Sequence, residues 1–370
     1  MKIVIAISLF ILGLLKRRSK PVFFLILIGM WFLMIDCGET LDSQNYINEF
    51  NNITFANATK EPLYVLIVYF FKNIGLNYNT YHALSSSIII MFIGWATYKM
   101  AHNYNLVLCL FLVYPFALYV VQIRNCIAFS LCMIAFTFLM RNDDKIINKG
   151  LIDRKKNEIL YVILILCASF IHSAYLFFLV FLIAKKIEMK KVIVFTAVAL
   201  IVESIILNKT ILLNIAGLFN VRSRLEYYFY FQNLNGQSDI SLRIIITFIM
   251  YLCLFGYFIL NKKHKNNTNE YIGLRVYNQN MLTLKINIMC MLIIPIVPLI
   301  REIFRIQEAL MLLNYITITN NMDLQKTWVR DTINNWLVIA LLLFVIMTDN
   351  YLYILRFNQM VKYVTKAVFG

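Results

Sequence analysis

Long apolar blocks separated by short, basic connectors make up most of this 370-residue chain. Blocks at roughly 2–15, 21–36, 81–98, 105–121, 125–140, 159–171, 173–184, 192–207, 241–260, 284–300, 303–318 and 335–348 predict membrane-crossing helices. The shorter block at 62–74 predicts an interfacial or re-entrant helix. The runs are continuous and do not alternate, which excludes a transmembrane barrel. The expected fold is therefore all-α: a polytopic integral membrane protein with about 10–13 transmembrane or re-entrant helices. With no internal repeat, heptad run or soluble segment, residues 1–370 read as a single membrane-embedded domain, with external loops at about 37–61 and 208–240.

Composition agrees: 61% of residues are hydrophobic and 15% charged, and mean hydropathy is +0.72. A soluble domain has no use for that much apolar surface. The net charge of +16 would otherwise raise nucleic acid as a partner, but Lys and Arg cluster in the short connectors, as membrane topology demands. Seven cysteines without CxxC or paired spacing indicate neither a disulfide framework nor a zinc site. The opening run Met1–Leu15 lacks a small-residue cleavage site, so a retained first span is expected.

The basic connectors fix an orientation. Lys16-Arg17-Arg18-Ser19-Lys20, the stretch Arg141–Lys156, Lys185–Lys191 and Lys262-Lys263-His264-Lys265 belong on the cytoplasmic side. Residues 37–61, Arg124, the segment 208–240, Arg301 and Arg305 then emerge outside. Only 26 residues, 159–184, separate two cytoplasmic connectors. Either one flank is assigned to the wrong side or the chain folds back at His172-Ser173; the fold-back is the preferred expectation and places His172 at the tip of a hairpin beside a protein or water cavity.

The external face thereby collects Asp42, Tyr46, Glu61, Tyr64, Arg124, His172, Arg222, Arg224, Arg301 and Arg305. A charge at the edge of a span is expensive and marks a site more often than an accident. Guanidinium groups grip phosphate oxygens in pairs, and several together suit a diphosphate. His172, Glu61 and Asp42 are the candidates for proton transfer to or from a hydroxyl. The tyrosines suit sugar faces or the membrane interface, as does the run Tyr227-Tyr228-Phe229-Tyr230-Phe231. Each residue also has a plainer reading. Arg124 at a helix start fits snorkelling to lipid phosphates, and His172 fits a hydrogen-bonded residue capping a helix break. Arg222 and Arg224 fit a solvated loop. Arg301 and Arg305, four apart, fit simple pairing with Glu302 or Glu308, and Asp42 with Tyr46 fits a short surface helix.

Several ordered features resemble the EpsG-type polysaccharide polymerases, relatives of the Wzy O-antigen polymerases. They are Asp42 and Tyr46 after the second span, Glu61-Pro62-Leu63-Tyr64, Arg124-Asn125-Cys126-Ile127-Ala128, Phe170-Ile171-His172-Ser173-Ala174, and the late segment Arg301 to Arg305. Asn125 departs from a glutamine-like position in many relatives, and the 208–240 loop matches no named pattern. The resemblance implies glycosyl transfer at the outer face of the bacterial cytoplasmic membrane. An undecaprenyl-diphosphate-linked glycan would be the donor, and a repeat unit on the same carrier the acceptor. Arg124, Arg301 and Arg305 would bind the diphosphate, with Arg222, Arg224, Tyr46 and Tyr64 as further binding candidates. No metal or other cofactor is expected where arginines compensate the charge. Membrane lipids are expected partners, a chain-length regulator and a flippase expected neighbours, and nucleic acid is not. A lipid-linked oligosaccharide flippase and a membrane acyltransferase on envelope sugars remain the alternatives, although a transporter usually carries an internal repeat.

Overall fold

The computed structural model describes residues 2–36, 41–54, 61–140, 150–206, isolated positions between 211 and 257, 270–296, 303 and 305–322. Among these residues the structure is helical, without strands. Two compact units are formed. One comprises Met1–Leu179, Met311–Lys326 and Ile354–Gly370, and the other Val180–Leu310 and Thr327–Tyr353.

In the first unit the apolar blocks become helices α1 (Lys2–Leu15), α2 (Lys20–Ile35), α4 (Pro62–Asn73), α5 (Tyr78–Met100), α6 (Tyr104–Val113), α7 (Phe116–Val121), α8 (Ile123–Leu139) and α9 (Gly150–Ile171). Within the expected external loop 37–61 lies a further helix, α3 (Leu41–Asn52). The expected single span at 105–121 is broken at Tyr114-Pro115, where proline cannot donate to the helix ladder. The second unit contains α10 (Phe181–Lys186) and α11 (Met189–Ile206) packed on α12 (Glu270–Cys290). Helix α12 begins well before the apolar block expected at 284–300, because its first turns are polar. Helix α13 (Arg305–Met322) carries its C-terminal part into the first unit. The spans expected at 241–260 and 335–348 lie largely or wholly outside the described residues.

By length and composition, α5 is the one helix among the described residues able to cross a membrane. Helices such as α2 (16 residues) and α8 (17 residues) reach only about 24–26 Å at 1.5 Å per residue, short of a hydrocarbon layer of about 30 Å. Large apolar side chains face outward on several helices nonetheless: Phe24 and Ile28 on α2, Phe70 on α4, Met91 on α5 and Phe170 on α9 are exposed.

A polar knot fixes one end of the first unit. Arg18 Nε donates to Asn103 Oδ1 at 3.1 Å, and Asn103 Nδ2 donates to the Thr319 carbonyl at 3.0 Å. Asn105 Nδ2 donates to the carbonyls of Lys16 and Ser19, while Tyr104 Oη donates to that of Arg18. Asn320 closes the knot, donating from Nδ2 to the Met100 carbonyl at 2.8 Å and accepting from His102 N at 2.7 Å. These asparagines add hydrogen bonds to carbonyls at the ends of α1 and α5 and in the chain entering α2, where the Lys16 and Ser19 carbonyls also accept from Ser19 N and Phe23 N. The connectors 16–19 and 101–103 therefore share an end. Gly13 permits the accompanying close approach of α1 and α6, since a Cβ there would stand 2.0 Å from Cys109 Sγ.

Counting along the antiparallel helices from that knot places Asp36, the start of α5 with α3 packed on it, and the segment 114–124 at the opposite end. The C-terminus of α8 returns to the basic connector, and α9 climbs back to the site end. There α9 stops at Ile171, with His172 N completing the last turn by donating to the Ala168 carbonyl at 2.8 Å. A 3-10 segment, Ser173–Val180, follows. Tyr161 Oη donates to the Phe178 carbonyl at 2.7 Å. A straight helix would hold those residues about 25 Å apart, so the chain doubles back at His172, as the hairpin expectation requires.

Candidate functional site

Three chain breaks meet at the end of the first unit opposite the Lys16–Lys20 connector, and each supplies one charged or titratable side chain. Helix α4 starts on Pro62, with its fixed φ suited to the first helical position. The preceding Glu61 has non-helical backbone (φ −136°, ψ 70°) and makes no side-chain capping bond, so its carboxylate can turn outward to a neighbour. Helix α8 starts after Gln122, which puts Arg124 in its first turn. His172 occupies the α9 break. Because α8 and α4 both pack on α9, these positions converge.

The Arg124 guanidinium lies 2.8 Å from Glu61 Oε2 through Nη1. The other oxygen of that carboxylate, Oε1, lies 3.6 Å from His172 Nδ1. This second spacing is an electrostatic contact and longer than a hydrogen bond. Glu61 and His172 are 13% and 14% exposed, whereas Arg124 retains 33%. The carboxylate is thus enclosed between cation and imidazole, and the guanidinium keeps an open side. Beneath it lies the buried Tyr64 ring, 5.5 Å from the guanidinium carbon. The ring's negative face favours the cation.

A second carboxylate completes the group. Glu49 Oε1 stands 4.0 Å from Arg124 Nη1. Its carboxyl is raised above the ordinary range, chiefly by burial; the Glu61 charge adds to this and the Arg124 charge opposes it. Glu49 is held in place by its neighbours. Phe50 is buried against the rings of Tyr78 and Tyr81 on α5, and Lys72 Nζ on α4 donates to the Asn51 carbonyl at 2.6 Å.

The sequence-derived candidates fall into three groups. Glu61, Arg124, His172 and Tyr64 are brought together. Asp42 and Tyr46 lie on α3, two turns and one turn respectively before Glu49 on the same partly buried face, while Gln44, Asn45 and Asn48 are exposed. Tyr46 is within electrostatic range of Arg124. Arg305 opens α13 and is partly buried, in a part of the chain that belongs to the second unit. Arg222, Arg224 and Arg301 lie outside the described residues, as does the aromatic run 227–231.

Two participants escaped sequence reading. Glu49 follows Asp42 at i+7 and Tyr46 at i+3, so helical periodicity would have placed it on their face; the asparagine-rich surroundings hid it. Tyr175 is the other. Its hydroxyl donates to Asn125 Oδ1 at 3.0 Å, and its ring stacks on Phe178 at 5.2 Å. Asn125 in turn donates to Gln122 Oε1 at 3.2 Å. The residue that departs from the glutamine-like pattern is therefore the buried link that fixes the start of α8 against the 3-10 segment, and with it the positions of Arg124 and His172.

Chemically, the group offers a guanidinium with an open side, a carboxylate shared with an imidazole, and a second carboxylate of reduced acidity. Among the described residues, no set of three or more His, Cys, Asp and Glu side chains is gathered to hold a metal ion. No curated protein and no solved structure matches the chain. A family model does match, over residues 20–365, from the second helix past every element that builds this group: the chain belongs to the EpsG family.

Proposed function

We propose that this protein polymerises undecaprenyl-diphosphate-linked oligosaccharide repeat units by glycosyl transfer at the outer face of the bacterial cytoplasmic membrane. Membership in the EpsG family supports a polysaccharide-polymerase-like role and membrane association. The observation that carries the finer reading is the Arg124–Glu61–His172 arrangement: a cation with an open side, 2.8 Å from a carboxylate whose other oxygen faces an imidazole. Its position at the end of the unit remote from Lys16–Lys20 fits an outward-facing site, because basic connectors stay in the cytoplasm.

In this reaction an acceptor sugar hydroxyl attacks the anomeric carbon of the donor glycan. The bond to the carrier diphosphate breaks, the electron pair leaves with the diphosphate, and the hydroxyl proton passes to a base. Arg124 stabilises the charge developing on the departing diphosphate, an effect of about 3–4 kcal/mol for a well-placed donor. His172 and Glu61 handle the hydroxyl proton, and the Tyr46 and Tyr64 rings supply apolar faces for sugar. A diphosphate carries more charge than one guanidinium balances, and Arg301, Arg305, Arg222 and Arg224 are the chain's candidates for the remainder. Such cations do for the leaving group what a metal ion does in other transferases.

Deletion in a producing cell distinguishes this activity from its rivals. Loss of a polymerase leaves single repeat units on the carrier at the outer face. Loss of a flippase would leave none outside, and loss of an acyltransferase would leave full-length chains lacking ester groups. Single outer-face units that return to long chains on complementation are the expected result. Full-length polymer in the deletion strain would overturn the proposal.

A further inference from the structure

Glu61 contacts Arg124 through one carboxylate oxygen and faces His172 through the other, at 2.8 Å and 3.6 Å. With Glu49 at 4.0 Å, two carboxylates surround the one guanidinium. The Arg124 charge is therefore already countered from within the protein, a paradox for a group required to attract an anion. Both contacts use the same nitrogen, Nη1, and a third of the Arg124 side chain is exposed, so an incoming anion has a side from which to approach.

We propose that Glu61 is an exchangeable counter-ion: it holds Arg124 while the site is empty, and is released to His172 as a proton acceptor when a diphosphate takes the guanidinium. The inference rests on the polymerase reading and adds an order of events to it. A diphosphate binds a guanidinium through two oxygens at once and carries more charge than a carboxylate, so it wins the competition. Once there, its oxygens repel the Glu61 carboxylate. His172, already facing Oε1, is the positive or hydrogen-bonding partner available to it.

The consequence is a coupling between leaving group and nucleophile. While Glu61 is paired with Arg124, its Oε2 is occupied by the guanidinium at 2.8 Å. Release frees that oxygen only when the donor is seated. The acceptor hydroxyl then gives its proton to the Glu61 carboxylate as its oxygen bonds to the anomeric carbon, and the diphosphate departs with the electron pair of the broken bond. Water arriving in an empty site meets a carboxylate that is not free to act as a base.

The test compares wild-type protein, Glu61→Gln, Glu61→Asp and Glu49→Gln in lipid nanodiscs. Affinity is measured for undecaprenyl diphosphate, and elongation is followed on lipid-linked repeat units. Glu61→Gln removes the competitor and is expected to bind the carrier about tenfold more tightly, the equivalent of an ion pair of about 1.4 kcal/mol, while elongation falls about 100-fold. Glu61→Asp keeps the charge but shortens the reach, so it shows a smaller gain in affinity in the same direction and covers any failure of the glutamine variant to fold. Glu49→Gln gains less than Glu61→Gln, in keeping with its longer contact. Equal or weaker binding by both Glu61 variants, in a preparation whose wild-type protein makes polymer, overturns the exchange alone. Wild-type protein that binds the carrier and makes no polymer overturns the polymerase reading itself.

Discussion

The Arg124–Glu61 pair allows a quantitative test by a double-mutant cycle of Arg124→Ala, Glu61→Ala and the combined variant. Arg124 is 33% exposed and Glu61 13%, which puts the pair between two regimes. Exposed pairs contribute roughly 0.2–1 kcal/mol, whereas breaking a fully buried one costs about 3–5 kcal/mol. At 2.8 Å the contact is a charge-assisted hydrogen bond, so a coupling of about 1–2 kcal/mol is expected. The two single costs are unequal. Arg124→Ala leaves an enclosed carboxylate without its cation and removes the stack on Tyr64, a loss of about 2–3 kcal/mol. Glu61→Ala leaves Arg124 partly compensated by Glu49 and costs about 1–2 kcal/mol. The double variant should therefore lose less than the sum of the singles. Denaturant unfolding in detergent, followed by tryptophan fluorescence or circular dichroism, reads all four proteins. Strict additivity would refute the pairing, and equal single costs would refute the role given to Glu49.

Other outcomes follow from the same geometry. His172→Ala should reduce elongation by about 10²–10⁴ while the protein remains in the membrane at normal level, and unchanged elongation would return His172 to a structural role. Tyr175→Phe removes the buried bond to Asn125 Oδ1 and should lower stability by about 1–2 kcal/mol. If it positions Arg124 as argued, elongation falls with carrier affinity, and loss of stability with unaltered affinity would contradict that. The raised carboxyl of Glu49 means the folded protein holds a proton that the unfolded chain releases. Its contribution is complete below the ordinary glutamate pKa of about 4.3 and is lost as pH rises through the folded value. Glu49→Gln should flatten that decline and be no less stable than the wild type at neutral pH; a variant clearly less stable there would show that the Arg124 attraction outweighs burial.

Much of the helix inventory was legible because apolar runs bounded by Lys, Asn and Pro mark both type and limits. Helices α1, α2, α4, α5 and α8 lie within a few residues of the blocks read from the sequence. Hydropathy failed where a helix is polar: α3 was a loop by that measure, and the first turns of α12, with Arg275, Asn278, Gln279 and Asn280, fell outside any apolar block. The break after Val121 had no signal of its own, since Gln122 neither forbids nor favours helix strongly. At the site, charges out of place in apolar sequence singled out Arg124, Glu61 and His172. Their mutual pairing was not readable, because 63 residues separate Glu61 from Arg124 and only the packing of α4 and α8 on α9 closes that distance. Glu49 carries no such signal, because a carboxylate has no direct attraction for an anion and its helix is polar and asparagine-rich.

The central claim, that Arg124 stabilises a departing diphosphate while sugars are joined, is tested most directly with purified protein and synthetic undecaprenyl-diphosphate repeat units. Wild-type protein should convert the units into a ladder of longer lipid-linked glycans and release undecaprenyl diphosphate. Arg124→Ala protein, folded and reconstituted at the same level, should leave single units unchanged. A ladder of normal length and rate from the Arg124→Ala protein would contradict the account.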